Sequence, residues 1–311
     1  MTELAIVMVS YNCADWIGRC LDTLPAALAG LDAELVVVDN QSNDGSAELV
    51  EAHPGPARLL RNEHNSGFAA AVNQGAAATS APWLLLLNPD MELRPGSLRN
   101  LFDFAQQRPG HGIYGGRTLR ADGSVEPSSC WNLPTLWSTA CFALGLSTLF
   151  ARSPIFDPES IGNWQRDTVR EVGMVTGCLL LVPRAVWDEL HGLDERYFVY
   201  GEDADFSARA RRLGYRPIIT PTAEVVHAIG VSSGDGGGKM PLLLAGKLTY
   251  ARQHGTGWQA GAASWLLRFG VLVRAVGATL TGRGTKWRLA WSNRAQWWNG
   301  FPPRQGPADL D

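Results

Sequence analysis

The sequence lacks several features that would mark other protein classes. Its five cysteines, Cys13, Cys20, Cys130, Cys141 and Cys178, include no CxxC pair. That excludes a zinc knuckle and a thiol-redox motif, and an odd count suits a reducing cytoplasm. No GxGxxG and no GxxxxGK(S/T) occurs, so the dinucleotide fingerprint and the phosphate loop are both missing. The opening MTELAIVMVSYN has no basic stretch and an apolar run of only six residues. It is expected to be a first strand and not a signal peptide. Charged residues make up 18% of the 311 and apolar residues 45%. Such a chain buries a real core and is neither disordered, collagen-like nor coiled-coil. Its length suits one large domain or two modest ones.

Acidic residues are missing from a whole region. Between Lys239 and Ala308 stand Lys239, Lys247, Arg252, Arg268, Arg274, Arg283, Lys286, Arg288, Arg294 and Arg304, and no Asp or Glu. The formal charge of −3 therefore divides into −11 over residues 1–238 and +10 over 239–308, the last two negatives being Asp309 and Asp311. Opposed parts suggest two jobs. The expected organisation is a catalytic domain over 1–238, with halves at about 1–115 and 116–238, and a helical basic tail over 239–311.

Short β-branched or leucine-rich runs at 4–9, 34–38, 57–61 and 83–87 alternate with helix-like stretches at about 15–28, 44–52 and 67–79. Apolar runs without alternation are buried on both faces, and the strand–helix rhythm predicts an α/β fold with a mostly parallel sheet. GGRTLRADGSVEP reads as a hairpin turning at Asp122-Gly123. Residues 130–170 read as irregular and surface-facing. A strand at 178–182, helices at 183–190 and 202–213, a strand at 223–227 and a loop at 230–238 complete the front part.

Ligands of open parallel sheets bind beyond the carboxyl ends of the strands. Ser10 and Tyr11 end the first strand. Asp39 ends the second and can accept the imide N–H of a uracil or thymine, with Tyr11 packing on the base. Asp44 and Ser46 read as helix caps. Asn65, Gly67 and Asn73 open the third helix, where small residues admit a ligand or simply let helix and sheet pack closely. Asn88-Pro89-Asp90 ends the fourth strand, where a carboxylate can hold a hard cation. His227 ends a late strand, ahead of Gly230, Ser232 and Ser233. Glu202, Asp203 and Asp205 crowd a helix start behind a glycine–aromatic lead-in. An i,i+4 pair with Arg209 accounts for Asp205 but not for the other two.

VMVSYN, VVDNQSNDGS, NSGFAAAVNQG, LLLNPD, TGCLLLVPR and GLDERYFVYGEDADFSARARRLGY, in this order, resemble family 2 inverting glycosyltransferases of the GT-A fold. Among these the chain is most similar to bacterial dTDP-rhamnosyltransferases. The resemblance covers residues 4 to about 230. It implies a Rossmann-like sheet and transfer of L-rhamnose from dTDP-β-L-rhamnose to a glycan or polyprenyl-linked glycan in cell-surface polysaccharide synthesis. Ser10, Tyr11, Asp39, Asn65, Gly67, Asn73 and Asn88 would hold the donor, Asp90 and His227 a Mg²⁺ or Mn²⁺, and Asp203, beside Glu202, would be the base. Asn88 departs from the stricter DxD motif, which puts more weight on His227. A sister enzyme using another dTDP- or UDP-sugar, or an inactive glycan-binding protein of the same fold, are the alternatives; no nucleic-acid partner is expected.

Residues 258–280 are apolar enough to suggest a span, but Arg268 and Arg274 lie mid-segment, each costing roughly 2.5–3.5 kcal/mol at a helix centre. Trp287, Trp291 and Trp298, beside Lys286, Arg288 and Arg294, suit an anionic lipid surface; packing on the catalytic part or a homo-oligomer contact is the alternative. The expected location is the cytoplasm, peripheral on the inner face of the membrane.

Overall fold

The computed structural model describes residues 2–227 and 238–302. The expected loop at 230–238 lies outside them up to Gly237, as does Arg304. The chain opens as a run of parallel βα steps: β1 (Leu4–Ser10), α1 (Ala14–Leu28), β2 (Ala33–Asp39), α2 (Ser46–Ala52), β3 (Arg58–Arg61), α3 (Phe68–Ala77) and β4 (Trp83–Leu87). β5 (Met91–Leu93), α4 (Ser97–Gln106), β6 (Tyr114–Leu119), β7 (Cys130–Trp131), α5 (Leu136–Ala143) and α6 (Leu146–Leu149) follow. Then come β8 (Arg170–Glu171), β9 (Met174–Val175), β10 (Leu179–Pro183), α7 (Arg184–Glu189), α8 (Glu202–Arg212) and β11 (Ile218–His227).

The main sheet runs β3-β2-β1-β4-β10-β6-β11-β5, with β8 beside β11. Its first half is parallel; β10 enters antiparallel between β4 and β6. Successive residues of β1 serve opposite layers, as the two-residue period of a strand requires. Leu4, Ile6 and Met8 join Ile17 and Leu21 of α1 and Leu98 and Leu101 of α4. Ala5 and Val7 join Ala69, Val72 and Ala76 of α3. Burying both faces explains why the strand sequences are apolar throughout.

Two registers decide where the polar strand ends meet. Ser10 of β1 lies opposite Asp39 of β2. Antiparallel β5 sets Met91 opposite His227, so the last residue of β11 arrives beside Asp90.

Two expectations are corrected. The stretch 130–170 is not merely irregular surface: it forms α5 and α6, and its ends wall the central cavity. The expected hairpin turns at Asp122-Gly123 and closes a bridge between Leu119 and Val125, but β6 itself pairs mainly with β10 and β11.

The basic tail forms α9 (Lys239–His254), α10 (Trp258–Thr281) and α11 (Thr285–Ser292). The tryptophans of its second half take the alternative expected for them, packing on the protein. Trp297 is fully buried with Leu244, Leu248, Leu267 and Val271, and Trp287, Trp291 and Trp298 pack against that cluster. A spacing of four puts residues on one helix face but does not say which side of the helix meets water. α9 is fastened to the front part: His254 Nε2 lies 2.8 Å from Asp205 Oδ1, and Gln253 binds both the Tyr197 hydroxyl (2.8 Å) and Asp194 (2.9 Å). Gly246 permits this approach, because a Cβ there would stand 1.8 Å from the Tyr200 carbonyl oxygen.

Asp205 also receives Arg209 at 2.7 Å and is wholly buried. Removing one partner of a buried charge pair typically costs about 3–5 kcal/mol. Asp205→Ala is expected to lose stability on that scale in chemical denaturation, with α9 loosening first; amide hydrogen exchange in 239–254 reads the second part.

Candidate active site

The carboxyl ends of β1 and β2 are laced together by side chains. Asn12, at φ 50°, donates its N–H to Ser42 Oγ (3.0 Å) and accepts the Asn43 N–H (2.8 Å). α1 has no cap of its own; Asp44 accepts the Ala14 N–H (2.9 Å) and Ser46 Oγ the Cys13 N–H (2.8 Å). Asp44 is thus a cap, as expected, but of the preceding helix as well as of Ser46 in the next.

Asn40 is the hub of the next loop, and the sequence offered no signal for it beyond its place after Asp39. Its Oδ1 accepts the Ser66 N–H (3.0 Å) and the Asn62 amide (3.1 Å); its Nδ2 donates to Asn65 Oδ1 (2.9 Å) and the Gly67 carbonyl (3.2 Å). Gly67 is needed for the fold itself: at φ +85° its Cα passes so near Phe198 that a Cβ would lie 2.6 Å from the Phe198 carbonyl oxygen. That carbonyl also takes the Phe68 N–H at 2.6 Å, so this N–H of α3 is not offered to an anion.

A cavity of about 1480 Å³ opens above these ends. Of the residues expected at a site, Tyr11, Asn65, Gly67, Asn88, Asp90, Glu202, Asp203 and His227 line it. Three do not. Ser10 is buried against Cys13 Sγ (3.2 Å). Asn73 is spent on the loop before α8, bonding Leu193 N–H (3.0 Å), Leu193 carbonyl (2.8 Å) and Glu195 (3.1 Å); it is a corrected assignment, a strut between α3 and that loop. Asp39 sits just behind the wall, buried, with Oδ2 accepting the Ser42 N–H (3.0 Å) and Oδ1 without a hydrogen-bond partner among the described residues. An unsatisfied buried acceptor costs about 1–3 kcal/mol, and a ligand N–H is one way to satisfy it.

Asp90 and His227 stand together on the wall, Oδ2 to Nε2 3.2 Å. Behind the ring, His227 Nδ1 meets Ser128 Oγ (3.2 Å) and Glu126 Oε2 (3.5 Å). Burial opposes charge on the ring, but Asp90 and Glu126 outweigh it and raise His227 to about 9. Glu126 is held below the ordinary carboxylate range: burial works against this, and the ring and the Ser128 N–H prevail. Ligating histidines usually carry such a carboxylate on their other nitrogen, which fixes the tautomer and aims the ring. Glu126 lies 101 residues from His227 in sequence, so no local pattern announced it.

The set fits an open cation site. One carboxylate oxygen and one imidazole nitrogen leave room for the diphosphate oxygens and waters that Mg²⁺ or Mn²⁺ prefers. Among the described residues no group of three or more His, Cys, Asp or Glu is disposed to hold a metal, so a closed protein cage is not on offer there.

Glu202 and Asp203 open α8. Glu202 is buried and its Oε2 has no partner among the described residues; burial, then the neighbouring Asp203 charge, lifts its proton affinity far above the ordinary range. Asp203 is also raised by burial, but the Gly177 N–H (3.1 Å) draws it back, and its side chain keeps a partly open face on the cavity. Burial thus raises both groups, and Asp203 is the one that hydrogen bonds draw back. Trp131, Trp164 and Lys239, which the sequence reading passed over as site residues, add aromatic and cationic surface to the same wall.

A mostly parallel sheet with a nucleotide-sized cavity at its strand ends, a carboxylate–histidine pair and a buried carboxylate pair is a GT-A glycosyltransferase architecture. The chain covers 94% of its length on a mannosyltransferase from Pyrobaculum calidifontis, solved in complex with GDP-Man and Mn²⁺, at TM-score 0.55, 18% identity and 79% of that chain. It covers 96% of its length on Staphylococcus aureus TarS 1–349 at TM-score 0.53, 13% identity and 81% of that chain. The model of glycosyl transferase family 2 matches residues 5–158. An N-acetylglucosaminyl-diphospho-decaprenol L-rhamnosyltransferase of Mycobacterium tuberculosis is 32% identical over 294 residues, 88% of this chain and 92% of that protein. The chain belongs to glycosyl transferase family 2 and is a glycosyltransferase.

Asn40→Asp keeps the size and the acceptor but loses both donations, to Asn65 and to Gly67. It is expected to cost about 1–3 kcal/mol and to weaken nucleotide binding, measured by thermal unfolding and calorimetric titration of dTDP.

Proposed function

We propose that the protein transfers L-rhamnose from dTDP-β-L-rhamnose, with inversion, onto a polyprenyl-diphosphate-linked sugar at the cytoplasmic face of the membrane. The observation that carries this reading is the likeness to the mycobacterial rhamnosyltransferase along 92% of that protein's length. The site chemistry supports it. The Asp39 Oδ1, without a partner among the described residues, suits the imide N–H of thymine, and Tyr11 offers a ring beside it. Asp90 and His227 would hold a divalent cation, whose charge stabilises the departing diphosphate. Asp203 accepts the proton of the acceptor hydroxyl as that oxygen bonds to the anomeric carbon and the carbon–phosphate oxygen bond breaks. The raised proton affinity of Glu202 favours its neutral form, which would keep a second negative charge away from the base.

Asp203→Asn removes the proton acceptor and little volume. Transfer is expected to fall by about 10²–10⁴-fold while dTDP binding and the unfolding midpoint hold. Near wild-type turnover by Asp203→Asn, with Glu202→Gln inactive, moves the base one residue. Asp90→Ala and His227→Ala are each expected to abolish transfer and to weaken Mn²⁺ binding in calorimetric titration; full activity in EDTA contradicts the cation site.

The raised proton affinity of Asp203 sets a pH limb. The base works only when deprotonated, so kcat/KM should decline as pH falls through a value above the ordinary carboxylate range, near 3.9. A profile flat down to that value would contradict the assignment.

A further inference from the structure

α10 is built inside out for a helix lying on a protein. Its residues Ala263, Leu267, Gly270, Val271, Ala275 and Ala278 are buried against the rest of the chain. Gly270 approaches so near that a Cβ would stand 2.8 Å from Ala143 Cα of α5. Both arginines also turn to the protein. Arg268 donates to the Trp298 carbonyl (2.6 Å) and lies over the Trp298 ring, and Arg274 lies 3.9 Å from the centre of the Phe142 ring. The opposite face is apolar and open. Trp265, Phe269, Leu272, Val276 and Leu280 follow one another at steps of four, three, four and four, one stripe at 3.6 residues per turn. Trp265 is 60% exposed and Leu280 82%. A surface helix normally puts its polar side outward; this one puts its charges inward and its large apolar side chains out.

The surroundings say what covers the stripe. Arg283, Lys286 and Arg288 follow its C-terminal end in sequence and are exposed, as is Arg294 further on, and no Asp or Glu stands between Lys239 and Ala308. A second copy docked by twofold symmetry would bring this basic patch to face itself, since such an interface uses the same surface on both subunits. An anionic bilayer opposes it with negative charge. The chain also links the stripe to the cavity. α5, on which α10 rests, leads to exposed Leu144 and Leu149 and then back to the cavity wall at Ala151 and Arg152. α9, packed on α10, supplies Lys239, Leu243 and Gly246 to the same wall.

We propose that the outward stripe of α10, with its basic flank, docks the enzyme on the surface of an anionic phospholipid bilayer, lying in the interface without crossing it. Large apolar side chains enter the headgroup boundary and the cations meet the lipid phosphates. The functional sense of this docking, delivery of a lipid-borne acceptor to the cavity, rests on the proposed function; the face itself does not.

The test is co-sedimentation of the full-length protein with phosphatidylcholine vesicles, with and without phosphatidylglycerol. Two variants accompany it: Trp265→Ser, Phe269→Ser, Val276→Ser and Leu280→Ser combined, and Arg283→Glu, Lys286→Glu and Arg288→Glu combined. Donor hydrolysis without acceptor serves as a folding control, since none of these residues lines the cavity. Expected is binding to phosphatidylglycerol vesicles that drops at least tenfold in high salt and in each variant, with hydrolysis unchanged. Equal binding to both vesicle types, no binding by the parent protein, or a stripe variant that binds like the parent overturns the proposal. So does a dimer in light scattering that the serine variant dissociates. The vesicles contain no acceptor, so intact docking together with failure to glycosylate a polyprenyl-linked sugar refutes the acceptor reading and leaves the docking face standing.

Discussion

Desolvation of three carboxylates within the first turn of α8 is the constraint from which much of the site follows. Glu202, Asp203 and Asp205 all enter a poorly hydrated region. A buried charge must be paired or must give way to a proton. Asp205 takes the first route, with Arg209 and His254, and the partner it recruits from α9 ties the tail to the catalytic part. Glu202 and Asp203 take the second. Burial raises both proton affinities, the Asp203 charge raises that of Glu202 further, and hydrogen bonds, the Gly177 N–H first among them, draw Asp203 back. The same physical cost that would weaken an ordinary helix start makes a carboxylate able to accept a proton from a hydroxyl.

The carboxylate–histidine pair obeys a different logic, that of register. His227 is brought to Asp90 by the antiparallel pairing of a three-residue strand, not by proximity in sequence. The sequence position of Asn88 leaves one carboxylate where two are common, and the structure compensates from behind: Glu126 and Ser128 hold the far nitrogen of the ring. An imidazole so oriented would be a stronger ligand than a free one, and under the proposed function a diphosphate would bring the oxygens that the protein does not supply.

What could be read from the residues follows from how local each signal is. The strands of the parallel half were legible because burial on both faces leaves uninterrupted apolar runs, and the polar residues at their ends were legible because such ends face a ligand crevice. Asn73 was misjudged because helical position alone does not distinguish a group facing a ligand from one facing a neighbouring loop 120 residues away. α5 and α6 were missed because both are short, α5 packing on α10 and α6 being a single turn, so neither carries a clear periodic pattern. The tail tryptophans reveal the same ambiguity at larger scale: Trp287 and Trp291 of α11 and Trp298 beyond it pack on a common cluster, whereas the exposed stripe of α10 lay hidden within a segment apolar on every side.

The division of charge now has a physical meaning. A front part at −11 and a tail at +10 could have met as a lattice of ion pairs. The contacts take another form. Lys247 does pair with Glu159, at 2.7 Å, but Arg268 and Arg274 satisfy themselves on a carbonyl and on aromatic faces within the tail and α5. The two parts are otherwise joined by apolar packing, by Gly246 against Tyr200, by the Asp205–His254 contact and by Gln253 on Tyr197 and Asp194. Exposed cations at Arg283, Lys286, Arg288 and Arg294 therefore keep their field directed outward, where solvent ions and any charged surface brought near, and not the enzyme's own carboxylates, determine its strength.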